Sequence, residues 1–297
     1  MTLKLIKPDQ SVIYDISNAV ESVTWSGSIL SAGRSVEFTV LNDPYDSGLK
    51  IPAVCVGDYI SFLVGSEELF YGQIFSIERS TAIGTVAYTA YDMMKNLLES
   101  NGRYNFKNTT PEAIAAQVLG DIQVSYNHLE TTGINIKSMI CDSKAFYDII
   151  MGAYTQAYRI TGNRYLPMIW QRAFGVWPAV YTVGNFTLSD ELNVTAASIS
   201  ESMDGIKNTV KIYDDKGNQV GEVKDDTSLQ KFGTFQDVYT VEKGVDPTTA
   251  AKNMLKVNPT QNISLSAIGD RNCLSGYSVA VKDAATGLSG KYWIKTD

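Results

Sequence analysis

The 297-residue sequence has one histidine, three cysteines, eight prolines and only 19% charged residues. Each scarcity removes a class of function. With His128 alone, neither a Ser-His-Asp triad nor a histidine-bound metal can be assembled, and this lone His in SYNHLETT reads as a solvated loop residue. Cys55, Cys141 and Cys273 are odd in number, far apart and without CxxC spacing. They give neither a disulfide framework nor a zinc site, and read as buried, reduced thiols of a protein made in a cytosol. No stretch approaches the ~18 uninterrupted apolar residues of a membrane helix. The opening MTLKLIKPDQSVIYDIS has no apolar core or cleavage site of a signal peptide, so neither export nor membrane residence is expected. A net charge of −7 without clustered Lys and Arg argues against gripping a nucleic-acid backbone. GxSxG, P-loop and GxGxxG patterns are absent. The pairs Glu67/Glu68, Asp214/Asp215 and Asp225/Asp226 sit in turn-like sequence, and neighbours on a strand face opposite sides. They read as loop charges rather than as two carboxyls facing a sugar across a cleft. The sequons at Asn108, Asn185, Asn193 and Asn262 carry no weight without a secretory signal. No catalytic, cofactor-binding or metal-binding residue is expected, and no cofactor.

What is plentiful is Tyr, Gly, Ser and Thr, the vocabulary of sheets and turns, so the expected class is mainly β with an α+β middle. From Val20 to Ile77 short strands alternate with turns, and in SVEFTVL the residues Val36, Phe38 and Val40 alternate with Glu37 and Thr39. This region, 1–98, is expected to be a small barrel or sandwich. Asp92 is placed to cap a helix MMKNLLES that Asn101-Gly102 would end in left-handed geometry.

Residues 99–200 change character. Thr110-Pro111-Glu112 starts a helix carrying Ile114, Val118 and Leu119 and stopped by Gly120. Asp142 or Ser143 caps a longer one whose stripe is Phe146, Ile149, Ile150, Ala153, Tyr154 and Ala157, facing a sheet of NRYLPMIW and GVWPAVYTV. In 201–297, expected as a second barrel, NTVKIYDD and VGEVKDD make a hairpin, and Asp246 with Pro247 opens a helix carrying Ala250, Ala251, Met254 and Leu255. Strand-like ISLSAIG, GYSVAV and GKYWIKT follow. Tyr59 and Gly72 lie 13 positions apart, as do Tyr277 and Gly290, each pair bracketing a strand, a turn and an aromatic strand. The equal offset predicts two barrels of one topology, with the Tyr-bearing face as the shared core. The tryptophans Trp25, Trp170, Trp177 and Trp293 read as core or interface residues ahead of a sugar platform.

In WSG (Trp25 to Gly27), GRSVEFTVLN (through Arg34 to Asn42), VGDYISFLV, FYGQIFSIE, TAYDMMKNLLESNGRYNFKNTTPEAIAAQVL and SISESMDGIKNTVKIYDDKG, with Asp204, Asn208, Val210 and Ile212 in place, the sequence resembles the tail hub proteins of contractile-tailed phages, prophages and phage-tail-like bacteriocins, the late control protein D group. It departs from them in ending after GKYWIKTD, where relatives often continue. The resemblance implies two tail-tube-like barrels flanking a small α+β domain. It also implies a homotrimeric, pseudo-sixfold ring in the baseplate that joins the hexameric tail tube above to the trimeric spike below, contacts other baseplate proteins, and passes DNA or a tape-measure protein without tight binding. No membrane partner is implied, and assembly would take place in the bacterial cytoplasm. The rival readings are a carbohydrate-binding or adhesin-like β protein and a tail-associated cell-wall hydrolase.

Overall fold

Alternating apolar and polar residues build the first third into one sheet. The computed structural model describes residues 1–42, 48, 51–79, 84–242 and 245–297. Strands β1 (Thr2–Ile6), β2 (Ile13–Asp15), β3 (Val20–Ser26), β4 (Ser35–Asn42), β5 (Tyr59–Val64), β6 (Glu67–Glu78) and β7 (Gly84–Tyr91) form a seven-stranded antiparallel sheet in the order β2-β1-β5-β6-β7-β4-β3. Val36, Phe38 and Val40 face inward, joined by Leu3, Leu5, Ile60 and Ile74. Among the described residues β2 and β3 remain edges, so the expected closed barrel is an open sheet. Alternation specifies which face is buried, whereas closure depends on strand tilt and stagger, which alternation does not encode.

The middle segment contains α1 (Met94–Glu99), β8 (Asn101–Thr109), α2 (Pro111–Asp121), β9 (Tyr126–Leu129), β10 (Ile136–Ala145), α3 (Phe146–Thr161), β11 (Tyr165–Trp170) and β12 (Ala173–Pro178). Thr110 caps α2 by accepting from the Ala113 N–H, as its sequence indicates. The long helix buries Ile149, Ile150, Ala153, Tyr154 and Ala157, and four of these pack with Ile114, Val118, Phe174 and Val176 in one core. Three boundaries differ from expectation. Asn101-Gly102 begins β8 instead of a left-handed stop, because α1 runs directly into the strand paired with β10. Asp142 and Ser143 lie in a bulge of β10, and α3 starts after Ala145 without a side-chain cap. Gly120 does not stop α2, which continues to Asp121.

The remainder contains β13 (Thr182–Ser189), β14 (Val194–Ser202), β15 (Thr209–Tyr213), β16 (Gln219–Lys224), α4 (Asp226–Phe232), β17 (Gln236–Thr240), α5 (Pro247–Met254), β18 (Thr260–Ala267), β19 (Ser278–Asp283) and β20 (Leu288–Trp293). The chain divides into unit 1 (residues 1–186, 269–280 and 291–297) and unit 2 (187–268 and 281–290). In unit 2, β15 and β16 form the expected hairpin and β17 adds in parallel. Val210 and Ile212 pack on Ala251 of α5. Strands β14 and β18 pair as a separate ribbon, and β13-β19-β20 is another small sheet. The expected second barrel is therefore a set of small sheets, none of them closed among the described residues.

The internal repeat does not survive either. In β5 the core takes Ile60 and Phe62, while Tyr59 lies on the opposite face, stacked on Tyr71 at 5.4 Å. In β19 the buried hydrophobic residues are Val279 and Val281, which share the parity of Tyr277. Gly72 is buried and a Cβ there would strike the Tyr91 carbonyl, whereas Gly290 is exposed with φ of 152°. A one-residue offset in facing turns every side chain to the other side, so an equal spacing without equal facing is shared hairpin composition and not a shared topology.

Candidate functional site

Several residues that carry the sequence resemblance converge in unit 1. Strand β3 ends at Trp25-Ser26, and β4 begins just after Arg34. Between them the backbone of Gly27 exchanges two hydrogen bonds with Asp297, both at 3.1 Å, and the Ile29 N–H donates to the Lys295 carbonyl at 3.0 Å. The Arg34 guanidinium lies 4.2 Å from the Trp25 ring and donates both Nη groups to the Asp297 carboxylate. A Cβ at Gly27 would collide with that guanidinium, which is why glycine stands there. Asp297 Oδ1 also accepts from the Ser275 N–H at 2.7 Å.

Beneath this knot sits Asp92, 3% exposed. Its Oδ2 accepts from the Arg34 backbone N–H at 3.1 Å and its Oδ1 from the Met94 N–H at 3.0 Å. Asp92 stands where the sequence predicts a helix cap, and its carboxyl does bind the first N–H of α1. Burial pushes that carboxyl up to about 7, outweighing the two backbone donors and the nearby Arg34. Two donors in the knot, Arg34 Nε and Trp25 Nε1, are buried without acceptors. A cavity of about 360 Å³ opens beside it, lined by Ile29, Arg34, Asp92, Leu166, Met168 and Ile294 among others.

A second constellation sits at the β11–β12 hairpin. Trp170 pairs with Ala173, leaving a two-residue turn of Gln171 (φ 50°) and Arg172 (φ 63°). Such turns favour Asn-Gly, because left-handed backbone costs a residue with a Cβ about 1 kcal/mol or more. The compensation is tertiary. Arg172 donates Nε to Glu68 Oε2 at 2.7 Å and Nη2 to Oε1 at 2.6 Å, and its guanidinium covers the Tyr71 ring at 3.9 Å. Burial raises the Glu68 carboxyl, but donors from Arg172 and Ser61 overcome it and hold the group below its ordinary value. A cleft of about 520 Å³ beside the clamp is lined by Tyr59, Tyr71, Tyr91, Asn96, Phe146 and Arg172 among others. An aromatic groove of about 350 Å³ lies between Trp170, Trp177, Tyr181 and Tyr277.

The other sequence candidates are scattered. His128 lies on β9 and not in a loop, with Nε2 3.0 Å from Glu130 Oε2 and its ring stacked on Trp177. Glu67 and Glu68 open strand β6, and Glu67 pairs with Arg271 at 2.7 Å. Asp214 organises the β15–β16 turn by accepting from the Lys216 and Asn218 N–H groups. Asp225 caps α4, a helix the sequence reading passed over, by accepting from the Ser228 N–H. Of the three thiols expected to be buried, Cys141 is, Cys273 is half-buried and Cys55 is exposed; burial raises the Cys141 thiol and pushes that of Cys273 up to about 11. Trp293 is half exposed. Among the described residues no cluster of His, Cys, Asp and Glu has the makings of a metal site, and no helix is long and apolar enough to cross a membrane. What sequence reasoning missed is the pairing of Arg34 with Asp297 and of Arg172 with Glu68. Only the two left-handed turn residues, which the sequence does not advertise, mark the second.

A family model described as YQBQ-like matches residues 23–297. The phage-like element PBSX protein XkdQ of Bacillus subtilis is 28% identical over 291 residues, spanning 93% of this chain and 87% of that protein. Among solved structures, the 43 kDa tail protein of prophage MuSo2 from Shewanella oneidensis superposes with a TM-score of 0.75 at 14% identity, covering 100% of this chain and 93% of that one. The tail protein from Neisseria meningitidis MC58 gives 0.69 at 13% identity, covering 99% and 90%. Residues quoted above as WSG, GR and TAYD are those that build the Arg34 knot.

Proposed function

The chain belongs to the YQBQ-like family, and on that premise we propose that it is a structural component of a phage or phage-like tail, the baseplate hub. In this reading three copies form a ring whose two β regions per chain present pseudo-sixfold symmetry to the hexameric tube above and threefold symmetry to the spike below. The observation that carries it is the match of the whole chain to a tail-protein fold, with a curated relative named for a phage-like element. The open edges of β2 and β3 fit a chain completed by assembly, since exposed strand edges are ready templates for pairing. Its place would be the assembled tail particle, with other baseplate proteins as neighbours and no membrane partner. With a net charge of −7, the lumen would be neutral to acidic and repel DNA phosphate passing through.

The hub performs no chemistry in this proposal. Burial raises the Cys141 and Cys273 thiols, which makes them poor nucleophiles, and the Glu68 carboxylate that the Ser61 hydroxyl meets is already held by Arg172. The test is mass measurement and negative-stain imaging of the purified chain, alone and with tube and spike proteins. Rings of three copies, each contact burying on the order of 2,000 Å² or more, are expected. A chain that stays monomeric with both partners, and particles carrying it without rings, would refute the proposal. His128→Ala should leave assembly intact, and the ring should not retain DNA at ~0.15 M salt. Hydrolysis of purified cell wall, abolished by one Asp or Glu substitution, would establish the hydrolase instead.

A further inference from the structure

Arg34 and its two carboxylates are unequally matched. The guanidinium gives both Nη groups to Asp297, and its Nε–H is buried with no acceptor. Among the described residues Asp92, which binds the backbone N–H of the same arginine, accepts from two neutral amides and forms no ion pair. The other charged or titratable groups nearby are paired elsewhere or line the same cavity as Asp92. Lys95 pairs with Glu99 on α1, Arg172 pairs with Glu68, and Arg164 and Tyr147 line the cavity wall. Arg34 is the cation tied directly to Asp92, through its backbone N–H, while its guanidinium is held by a different carboxylate. The 360 Å³ cavity beside both side chains gives the guanidinium room to turn without repacking the core.

We propose that Arg34 is a proton-controlled latch shared between Asp297 and Asp92. While Asp92 is protonated, the guanidinium holds Asp297 and with it the pairing of residues 294–297 onto 27–29. When Asp92 releases its proton to solvent, a buried carboxylate without a counter-ion is left, which is costly. Arg34 then turns to it, finds an acceptor for Nε–H, and lets Asp297 go. The element is two-state, and the proton biases it. Because burial raises this carboxyl to about 7, the latch is closed below that pH and opens as pH rises through it. This inference is independent of the hub reading.

Hydrogen exchange of the full-length chain tests it, at about pH 6 and about pH 8, with rates corrected for the intrinsic effect of pH. Protection of the Gly27, Ile29 and Asp297 amides should fall about tenfold or more at the higher pH, while amides of α3 do not change. Asp92→Asn should keep these amides protected at both values, and Asp297→Asn should leave them exposed at both. Protection that is independent of pH in the natural chain, or a pH dependence that persists in Asp92→Asn, overturns the latch. Should Asp92→Asn fail to fold, a carboxyl-carbon NMR titration of the natural chain replaces it. The Asp92 midpoint must then coincide with the exchange midpoint, and a mismatch overturns the proposal equally.

Discussion

Unit 1 and unit 2 reach order by different physics. Unit 1 holds two extended apolar clusters, one around Phe38, Ile60 and Ile74 and one around Ile114, Ile149, Tyr154 and Phe174. In unit 2 the sheet of β15, β16 and β17 rests on a much smaller cluster of Val210, Ile212 and Ala251. Polar devices take over there. Asn208, fully buried, donates Nδ2 to Ser228 Oγ and the Gly233 carbonyl and accepts from the Phe235 N–H. Asp225 and Asp246 cap the two short helices. Area-driven burial is spread over many side chains and tolerates small errors, whereas a buried polar node fails at once when one partner is lost.

That contrast can be broken or sharpened by substitution. Phe38→Ala should cost about 3–5 kcal/mol in urea unfolding of unit 1, from lost transfer energy and the cavity left behind. Asn208→Ala should cost roughly 3 kcal/mol, by orphaning several buried groups, and its effect should be confined to unit 2 as read by limited proteolysis. If the two substitutions destabilise both units alike, the division into two mechanisms is wrong.

A pH scan separates the units further. The Asp92 carboxyl is raised in the folded chain from 3.8 to about 7, so the folded state takes up a proton that the unfolded chain does not. Its stabilisation is fully present below the unfolded value and is lost as pH rises through about 7, at up to about 1.4 kcal/mol per pH unit. Unit 1 should therefore be more stable near pH 5 than near pH 8, and Asp92→Asn should flatten the difference. Arg172→Ala should cost unit 1 about 1 kcal/mol, since the ion pair with Glu68 is half exposed and solvent-screened. Replacing Gln171-Arg172 by Asn-Gly should relieve the turn while losing the clamp, giving a smaller loss than Arg172→Ala. Asp225→Ala should cost unit 2 about 1 kcal/mol as a lost helix cap, read by hydrogen exchange in α4.

How much was legible follows from the range of each signal. The stripe of α3, the Thr110 and Asp246 caps and the alternation of β4 are written within a few residues, and the structure has them all. The start of α3 is not legible locally, because Asp142 and Ser143 have the residue types of caps while pairing of β10 with β8 claims them for a bulge. Helix α4 is equally hidden, because a pair of aspartates in turn-like sequence reads as loop charge, and only the fold brings the Ser228 N–H onto Asp225.

The sequence by itself determined that this chain is mainly β with helices in its middle, which faces of its strands are apolar, and where its better-capped helices begin, because those signals depend on neighbours one to four residues apart. The tertiary structure alone decided that the first sheet stays open, that Tyr59 and Tyr277 face differently with respect to their cores, and that Arg34 meets Asp297 across 263 positions. Strand closure, facing and ion-pair choice are settled by which distant segments come together, and residue types and local spacing carry no record of that.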